Sequence, residues 1–136
     1  MKTLVFILSL FLAGCSLDTE APNIPVFDTP QDAIEWILYN IDGEMDSNIY
    51  SIEEIGERRK GGCTTFSGLF LYVLVEQFGE DARIVLTEEN GYGHTIVLWD
   101  GTYYDLTDKE NFIVGRPEKI LGYWTLDQYY LMAKIK

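Results

Sequence analysis

The sequence predicts an α+β domain in which N-terminal helices, one of them central and bearing a cysteine, pack on an antiparallel β-sheet. Up to about residue 79, apolar residues recur every three or four positions, which is the period of helices. After residue 81 they alternate, and an Asp-Gly pair separates two such runs, as in a β-hairpin. With 136 residues, 47% of them hydrophobic, the chain suits one domain with its own core.

The N-terminus predicts export. Residues 1–14 have the layout of a signal peptide, with a lysine followed by an almost unbroken apolar run. The small residues before Cys15 resemble the lipobox of bacterial lipoproteins, which implies that Cys15 is acylated and holds the chain to a bilayer. Ser16, in place of Asp, by the same resemblance favours the periplasmic side of the outer membrane in a Gram-negative cell. A plain signal peptide and an uncleaved anchor are the alternatives.

The charge of the chain points away from nucleic acid. The formal net charge is −12, and without residues 1–14, which hold one lysine and no acid, it is −13. Residues 15–28 are polar and contain proline, so they predict a lipidated tether. Residues 29–136 form the predicted domain, which we expect to be monomeric and to need no cofactor.

Three helices are predicted in order along the first half of this domain. Thr29 and Pro30 are good residues for a helix start, and Gly43 should end that helix. Ser51 has the spacing of a capping box with Glu54, which predicts a short helix over residues 52–59, broken by the glycines that follow. The third helix begins at or just after Cys63 and runs to residue 79, and it is apolar almost all round, as buried helices are.

The second half reads as strands. Residues 81–89 predict one strand, and residues 93–108 predict a hairpin whose turn is Asp100-Gly101. Residues 111–120 can add a further strand before Pro117. The last segment, residues 125–136, fits a helix or a strand equally well.

Cys63 is the candidate nucleophile. If Cys15 is acylated, Cys63 has no partner for a disulfide within the chain. A cysteine at a helix N-terminus has its thiol pKa lowered by the helix dipole and by free N–H groups, which can also stabilise an oxyanion. A cysteine in an apolar helix can also be simple packing, and a metal site is disfavoured because His94 and the carboxylates lack a compact ligand spacing.

His94 and Asp105 are the candidate base and its orienting group. His94 is the only histidine in the chain. If the hairpin turns at Asp100-Gly101, Ile96 faces Asp105, and Asp105 becomes the diagonal neighbour of His94 on the same face of the sheet. A one-residue slip in register would remove this neighbour.

These residues resemble the transglutaminase-like superfamily, whose members share a papain-like Cys–His–Asp core. The motif "GGCTTFSGLF" matches the helix that bears the family's cysteine, and "FGEDARIVL" matches its end and the next strand. The motif "GHTIVLWDGTYYDLTD" matches the strands of the family's histidine and aspartate, with a shorter connection than many members have. The resemblance spans residues 30–108, and the matching positions near the nucleophile are Gly61, Gly62, Cys63, Phe66, Gly79, Ala82 and Arg83.

The resemblance implies a thiol enzyme that transfers or hydrolyses an acyl group of a peptide or carboxamide, with a Cys63–His94–Asp105 triad. The family often supplies an oxyanion donor upstream of the cysteine, and Asn48 and Tyr50 are the candidates here. The alternative is a non-catalytic lipoprotein that binds a cell-envelope protein. Its binding face would be rich in tyrosine, and the candidates are Tyr92, Tyr103 and Tyr104.

Overall fold

The computed structural model describes residues 23–135, without the side chain of the last of these, and has an α+β architecture. The predicted signal peptide and the lipidation residue, Cys15, lie outside the described residues. Four helices and one five-stranded antiparallel sheet make up the domain, with a separate pair of two-residue strands. No helix within residues 23–135 is both long enough and apolar enough to cross a membrane.

The first helix, α1 (Pro30–Asn40), starts as predicted but ends earlier. The Thr29 side chain caps it by accepting a hydrogen bond from the Asp32 N–H at 3.1 Å. The prediction that Gly43 ends the helix is wrong. Ile41 is already extended, because strand β1 (Asp42–Gly43) pairs in parallel with strand β2 (Lys60–Gly61).

The second helix, α2 (Ile52–Arg58), has the predicted capping box. The Ser51 hydroxyl accepts from the Glu54 N–H, and the Glu54 carboxylate accepts from the Ser51 N–H. The glycines do not end this helix as predicted. Arg59 ends it by adopting the left-handed conformation, with φ 58°.

The central helix, α3 (Cys63–Tyr72), begins at the cysteine as predicted and is buried from Thr65 onward. It continues as a π-helical turn over Val73–Gln77. Gly79, with φ 67°, then closes the helix, and the Glu80 N–H donates to the Leu74 carbonyl at 2.9 Å. The Gly79 N–H donates to the Val75 carbonyl at 3.0 Å, which is the αL cap motif, and this motif requires a left-handed residue and therefore favours glycine.

The sheet has the order β6–β5–β4–β3–β7. Its strands are β3 (Ala82–Glu89), β4 (Tyr92–Trp99), β5 (Thr102–Tyr104), β6 (Ile113–Val114) and β7 (Ile120–Trp124). The predicted hairpin is confirmed, including its register, because Val97 pairs with Tyr104 across the Asp100-Gly101 turn. A second two-residue turn joins β3 to β4, and β7 is an edge strand that the sequence did not reveal.

The two faces of the sheet are covered differently. Side chains such as Ile84 and Val97 pack on the helices in the main core, while Val85, Ile96 and Tyr103 form a smaller cluster on the other face. The link from β6 to β7, residues 115–119, joins the two outermost strands and so passes over this face. Its Arg116 side chain donates to the Tyr103 hydroxyl at 3.4 Å.

The C-terminal segment forms helix α4 (Leu126–Ile135), which decides between the two predicted possibilities. Thr125 and Gln128 form a reciprocal capping pair at its start. Tyr129 is completely buried, and its hydroxyl donates to the Tyr50 carbonyl at 2.5 Å. The spacing T-x-x-Q was the available sequence signal for this helix start.

Candidate active site

The backbone before Cys63 permits only glycine. Gly62 caps α3 in an extended conformation, and its carbonyl accepts from the Thr65 N–H at 3.0 Å. A Cβ atom on Gly62 would lie 2.1 Å from the Asp46 carbonyl oxygen. The close approach of these two chain segments therefore fixes where the helix starts, and with it the position of the half-buried thiol of Cys63.

His94 and Asp105 are in direct contact. His94 is the third residue of β4 rather than its first, and Asp105 follows the last residue of β5. The His94 Nε2 atom lies 2.8 Å from the Asp105 Oδ2 atom, with both side chains largely buried. The predicted register thus brings the two side chains together.

Asp105 is held on its other oxygen by Thr107. The Thr107 hydroxyl donates to Asp105 Oδ1 at 2.5 Å and the Thr107 N–H donates to the same atom at 3.2 Å. Burial alone would raise the pKa of Asp105, but the hydrogen bonds from His94 and Thr107 outweigh it, so that the pKa lies below 3.8. Asp105 is therefore ionised at neutral pH.

His94 and Cys63 lie beside each other, and each shifts the pKa of the other. The pKa of His94 is raised to about 10, first by the hydrogen bond with Asp105 and then by that with Cys63. For Cys63, burial raises the pKa, but hydrogen bonds from His94 and from the side chain and main chain of Thr95 bring it below 9.0. Because Nε2 is engaged by Asp105, Nδ1 is the ring nitrogen available to the thiol. Both shifts favour a thiolate–imidazolium pair.

The thiol opens into a cleft of about 570 Å³. Its walls come from the loop after β1, the start of α3 and the start of β4. Met45 and Tyr92 are highly exposed at its edge. The lining residues are Gly43, Glu44, Met45, Asp46, Ser47, Gly61, Gly62, Cys63, Phe66, Tyr92, Gly93, His94 and Thr107.

One wall of this cleft is fixed by Arg58. Its guanidinium contacts Glu44 at 2.8 Å and Asp46 at 3.6 Å, and stacks 4.2 Å from the centre of the Tyr50 ring. The Tyr50 hydroxyl donates to Asp46. These contacts hold the 44–46 segment, which carries Glu44 and Asp46, the two acidic residues that line the cleft.

The predicted oxyanion donors are not placed in the cleft. Tyr50 is buried with its hydroxyl committed to Asp46, and the Asn48 side chain donates to that hydroxyl at 3.4 Å. Neither side chain lines the cleft. Hydrogen bonds within the cleft wall already use the polar groups of Tyr50 and Asn48. No sequence motif indicates these bonds.

The predicted tyrosine-rich binding face is wrong. Tyr92 is exposed, but Tyr103 is buried in the small cluster on the outer face of the sheet. Tyr104 packs instead against Phe70 and Trp99 in the main core. Alternation along β5 sends the two neighbouring tyrosines to opposite faces of the sheet, so the three do not share a surface.

Sequence reasoning missed two residues that support the site, Thr95 and Thr107. Thr107 lies two residues after Asp105, which is the usual spacing for a side chain that bonds the backbone of a turn. Thr95 lacks such a signal, because its role depends on α3 packing against β4. The Ser67 hydroxyl donates to the Thr95 carbonyl at 3.1 Å across this contact.

Within the described part of the chain, histidine, cysteine and carboxylate side chains form no group of three that could hold a metal ion. Comparison with family models, with curated proteins and with solved structures found no match.

Proposed function

We propose that the domain is a thiol acyl-transfer enzyme with a transglutaminase-like core, in which Cys63 is the nucleophile. The observation that supports it best is the continuous contact from Cys63 through the His94 ring to Asp105, set at a helix N-terminus and open to a cleft. Three separate parts of the chain supply these side chains. Each of the three side chains has a neighbour that favours its charged form. Such an arrangement of nucleophile, base and orienting group is what covalent catalysis requires.

In the first step, the Cys63 sulfur attacks the carbonyl carbon of a peptide or carboxamide bond. A carbon–sulfur bond forms, and the electron pair of the C=O double bond moves to the oxygen. When the oxygen pair returns, the carbon–nitrogen bond breaks, and His94 gives its proton to the departing amine. Asp105 keeps the His94 ring oriented and stabilises its charged form.

In the second step, water or an amine attacks the thioester. His94 takes the proton of the attacking group, and the sulfur leaves as thiolate. Water gives a peptidase or amidase, whereas an amine gives a transglutaminase. The main-chain N–H of Cys63, at the first position of the helix, has no acceptor within α3 and is suited to stabilise the oxyanion.

The thiol reactivity tests this proposal. At pH 7, Cys63 should react with iodoacetamide about five to ten times faster than an ordinary cysteine, because more thiolate is present while each thiolate is a weaker nucleophile. His94→Ala should reduce this rate to that of an ordinary thiol. The measurement is intact-mass spectrometry against time, with Cys63→Ser as the unlabelled control. Equal rates for the unaltered protein and His94→Ala would refute the proposal.

We further propose that the domain is exported and lipid-anchored through Cys15, and acts on a peptide or protein close to the membrane surface. Residues 23–28, placed in the tether by the sequence, are held on the domain. Gln77 binds the Pro25 carbonyl and the Phe27 N–H at 2.8 and 3.0 Å, and Arg59 binds the Asn23 carbonyl. Seven residues, and so eight Cα-to-Cα steps, then separate Cys15 from Asn23, a reach of at most about 29 Å.

A further inference from the structure

The proposed tether meets the described part of the domain at Asn23. Arg59 donates to the Asn23 carbonyl at 3.0 Å, and Ile24, the next residue, is buried in the main core. These two contacts fix the place on the domain surface from which the chain runs back to Cys15.

Aromatic and basic side chains surround this place. The Arg59 guanidinium stacks 4.7 Å from the centre of the Trp36 ring, and Tyr39 lies beside Trp36, three residues further along α1. Tyr39 is 88% exposed and Val26 is 61% exposed, so neither contributes much to the core. Lys60 follows Arg59 and is also exposed. We call Val26, Trp36, Tyr39, Arg59 and Lys60 the tether patch.

The length of the proposed tether limits which face of the domain can meet the membrane. The seven residues between Cys15 and Asn23 allow a reach of at most about 29 Å. A compact domain of the size of residues 23–135 has a radius of gyration of about 13 Å, and hence a diameter of about 34 Å. Because this diameter exceeds the reach, the face opposite the tether patch cannot lie on the bilayer.

Attraction between opposite charges does not explain a membrane contact at this place. The exposed carboxylates of Glu35, Asp42 and Glu57 lie close in the chain to the basic residues of the tether patch, and the formal net charge of the whole chain is −12. The tether itself brings the bilayer to this surface, and the aromatic side chains suit the contact.

We infer that the tether patch lies on the phospholipid headgroups of the bilayer that holds Cys15. This inference rests on the proposed lipid anchor and adds the face of the domain that meets the lipid. Tryptophan and tyrosine favour the headgroup level because their rings combine an apolar body with a polar edge. Arginine and lysine can place their charges among the phosphates while their stems cover apolar surface.

The tether patch is continuous with the wall of the cleft. The Asp42 N–H donates to the Arg59 carbonyl at 2.9 Å, and Asp42 faces Lys60 in the pair of β1 and β2. The next residue, Gly61, lines the cleft. Cys63 is three residues from Lys60, so their Cα atoms are at most about 11 Å apart. A domain held by this patch therefore keeps its thiol near the membrane surface, which favours substrates that are themselves held there.

Quenching by brominated lipid tests which face touches the bilayer. The full acylated chain is placed in phosphatidylcholine vesicles, with or without bromine on the acyl chains close to the headgroups. Tyr39→Trp should lose about half of its added emission in the brominated vesicles, because an interfacial indole lies at the headgroup level. Tyr123→Trp is the control and should lose none. Tyr123 is 41% exposed, but it pairs with Val85 on the outer face of the sheet, away from α1.

A second measurement uses the native tryptophans and introduces no new ring. Trp36 lies in the tether patch, whereas Trp99 and Trp124 lie on β4 and β7. Brominated vesicles should quench part of the emission of the unaltered protein. Trp36→Phe should remove most of this quenching, and Trp124→Phe should leave most of it.

The possible failures can be told apart. If bromine quenches the Tyr39→Trp and Tyr123→Trp proteins equally, or quenches neither, the inference is overturned. Intact-mass spectrometry that shows Cys15 without acyl chains would refute the proposed anchor, and this inference with it. Failure of the proposed thiol chemistry would appear separately, as ordinary reactivity of Cys63 toward iodoacetamide.

Discussion

Asp105 accepts hydrogen bonds on both carboxylate oxygens, from His94 on one and from Thr107 on the other. The Thr107 contacts fix the carboxylate without touching the thiol, so Thr107 is a positioning residue for the pair of His94 and Cys63. The charge of Asp105 in turn holds the pKa of His94 at about 10. Loss of one hydrogen bond from Thr107 should therefore change the pKa of the Cys63 thiol indirectly, first through Asp105 and then through His94.

We predict that Thr107→Val raises the pH at which Cys63 becomes reactive. Without the hydroxyl, the pKa of Asp105 rises toward 3.8, the pKa of His94 falls, and the pKa of Cys63 rises toward 9.0. Iodoacetamide labelling at pH 6 to 7 should slow by about threefold to tenfold, the effect of one charge-assisted hydrogen bond. Thr107→Ser keeps the hydroxyl and should keep the pH profile. An unshifted profile in the valine variant would show that Thr107 is only structural.

At the scale of elements, the packing of α3 against α4 depends on a glycine, Gly68, because no side chain fits at that position. A Cβ atom on Gly68 would lie 2.2 Å from the ring of Tyr129. The ring has little freedom to move away, because it is fully buried and its hydroxyl binds the Tyr50 carbonyl. This contact joins the last helix of the chain to the segment that precedes α2.

Gly68→Ala should destabilise the domain by about 2 kcal/mol, since overpacking and loss of the Tyr129 hydrogen bond outweigh the better helix propensity of alanine. The melting temperature should fall by about 10 °C. Gly115→Ala adds the same methyl group in open space and should change stability by less than about 0.5 kcal/mol. Calorimetry on both variants decides this, and equal melting temperatures would contradict the packing argument.

Elements with their own local signals were predictable. The capping box at Ser51 and the Asp100-Gly101 turn are decided by neighbouring residues, and both are confirmed. The register that places Asp105 beside His94 followed from that turn alone. The short pair of β1 and β2 carried no such signal, because it depends on where α1 and α2 end in space. Strand β7 was missed because it is short and pairs with β3, more than 30 residues earlier.

For the whole molecule, the distance to the membrane is set by the proposed tether. We predict that Cys15→Ala moves the protein from the membrane fraction to the soluble exported fraction, because the acyl chains are its proposed attachment. Cys63→Ser should remain in the membrane fraction. Fractionation with detection by antibody checks this, together with the mass of the mature N-terminus. Membrane retention of Cys15→Ala would contradict the anchor.

The candidate site could be foreseen only in part from the sequence. Cys63, His94 and Asp105 each follow from a local pattern, and the structure places them in contact. The predicted oxyanion donors do not lie in the cleft, because the Tyr50 hydroxyl is hydrogen-bonded to Asp46. That bond belongs to the wall of the cleft, which tertiary contacts build. The prediction of a shared tyrosine face was wrong because Tyr103 is buried on the outer face of the sheet. Its burial depends on residues 115–119, which cross that face. Such contacts between distant segments leave no mark in a single sequence.

That link has almost no spare length. Strands β6 and β7 are the two outermost strands, four strand spacings apart, which is roughly 19 Å. From Val114 to Ile120 the chain can span at most about 21 Å. Residues 115–119 bend once, at Glu118, and otherwise cross the sheet directly, so they behave as a crossbrace rather than a loop. We expect the chain to tolerate insertions there better than deletions, since a shorter link would pull on an edge strand.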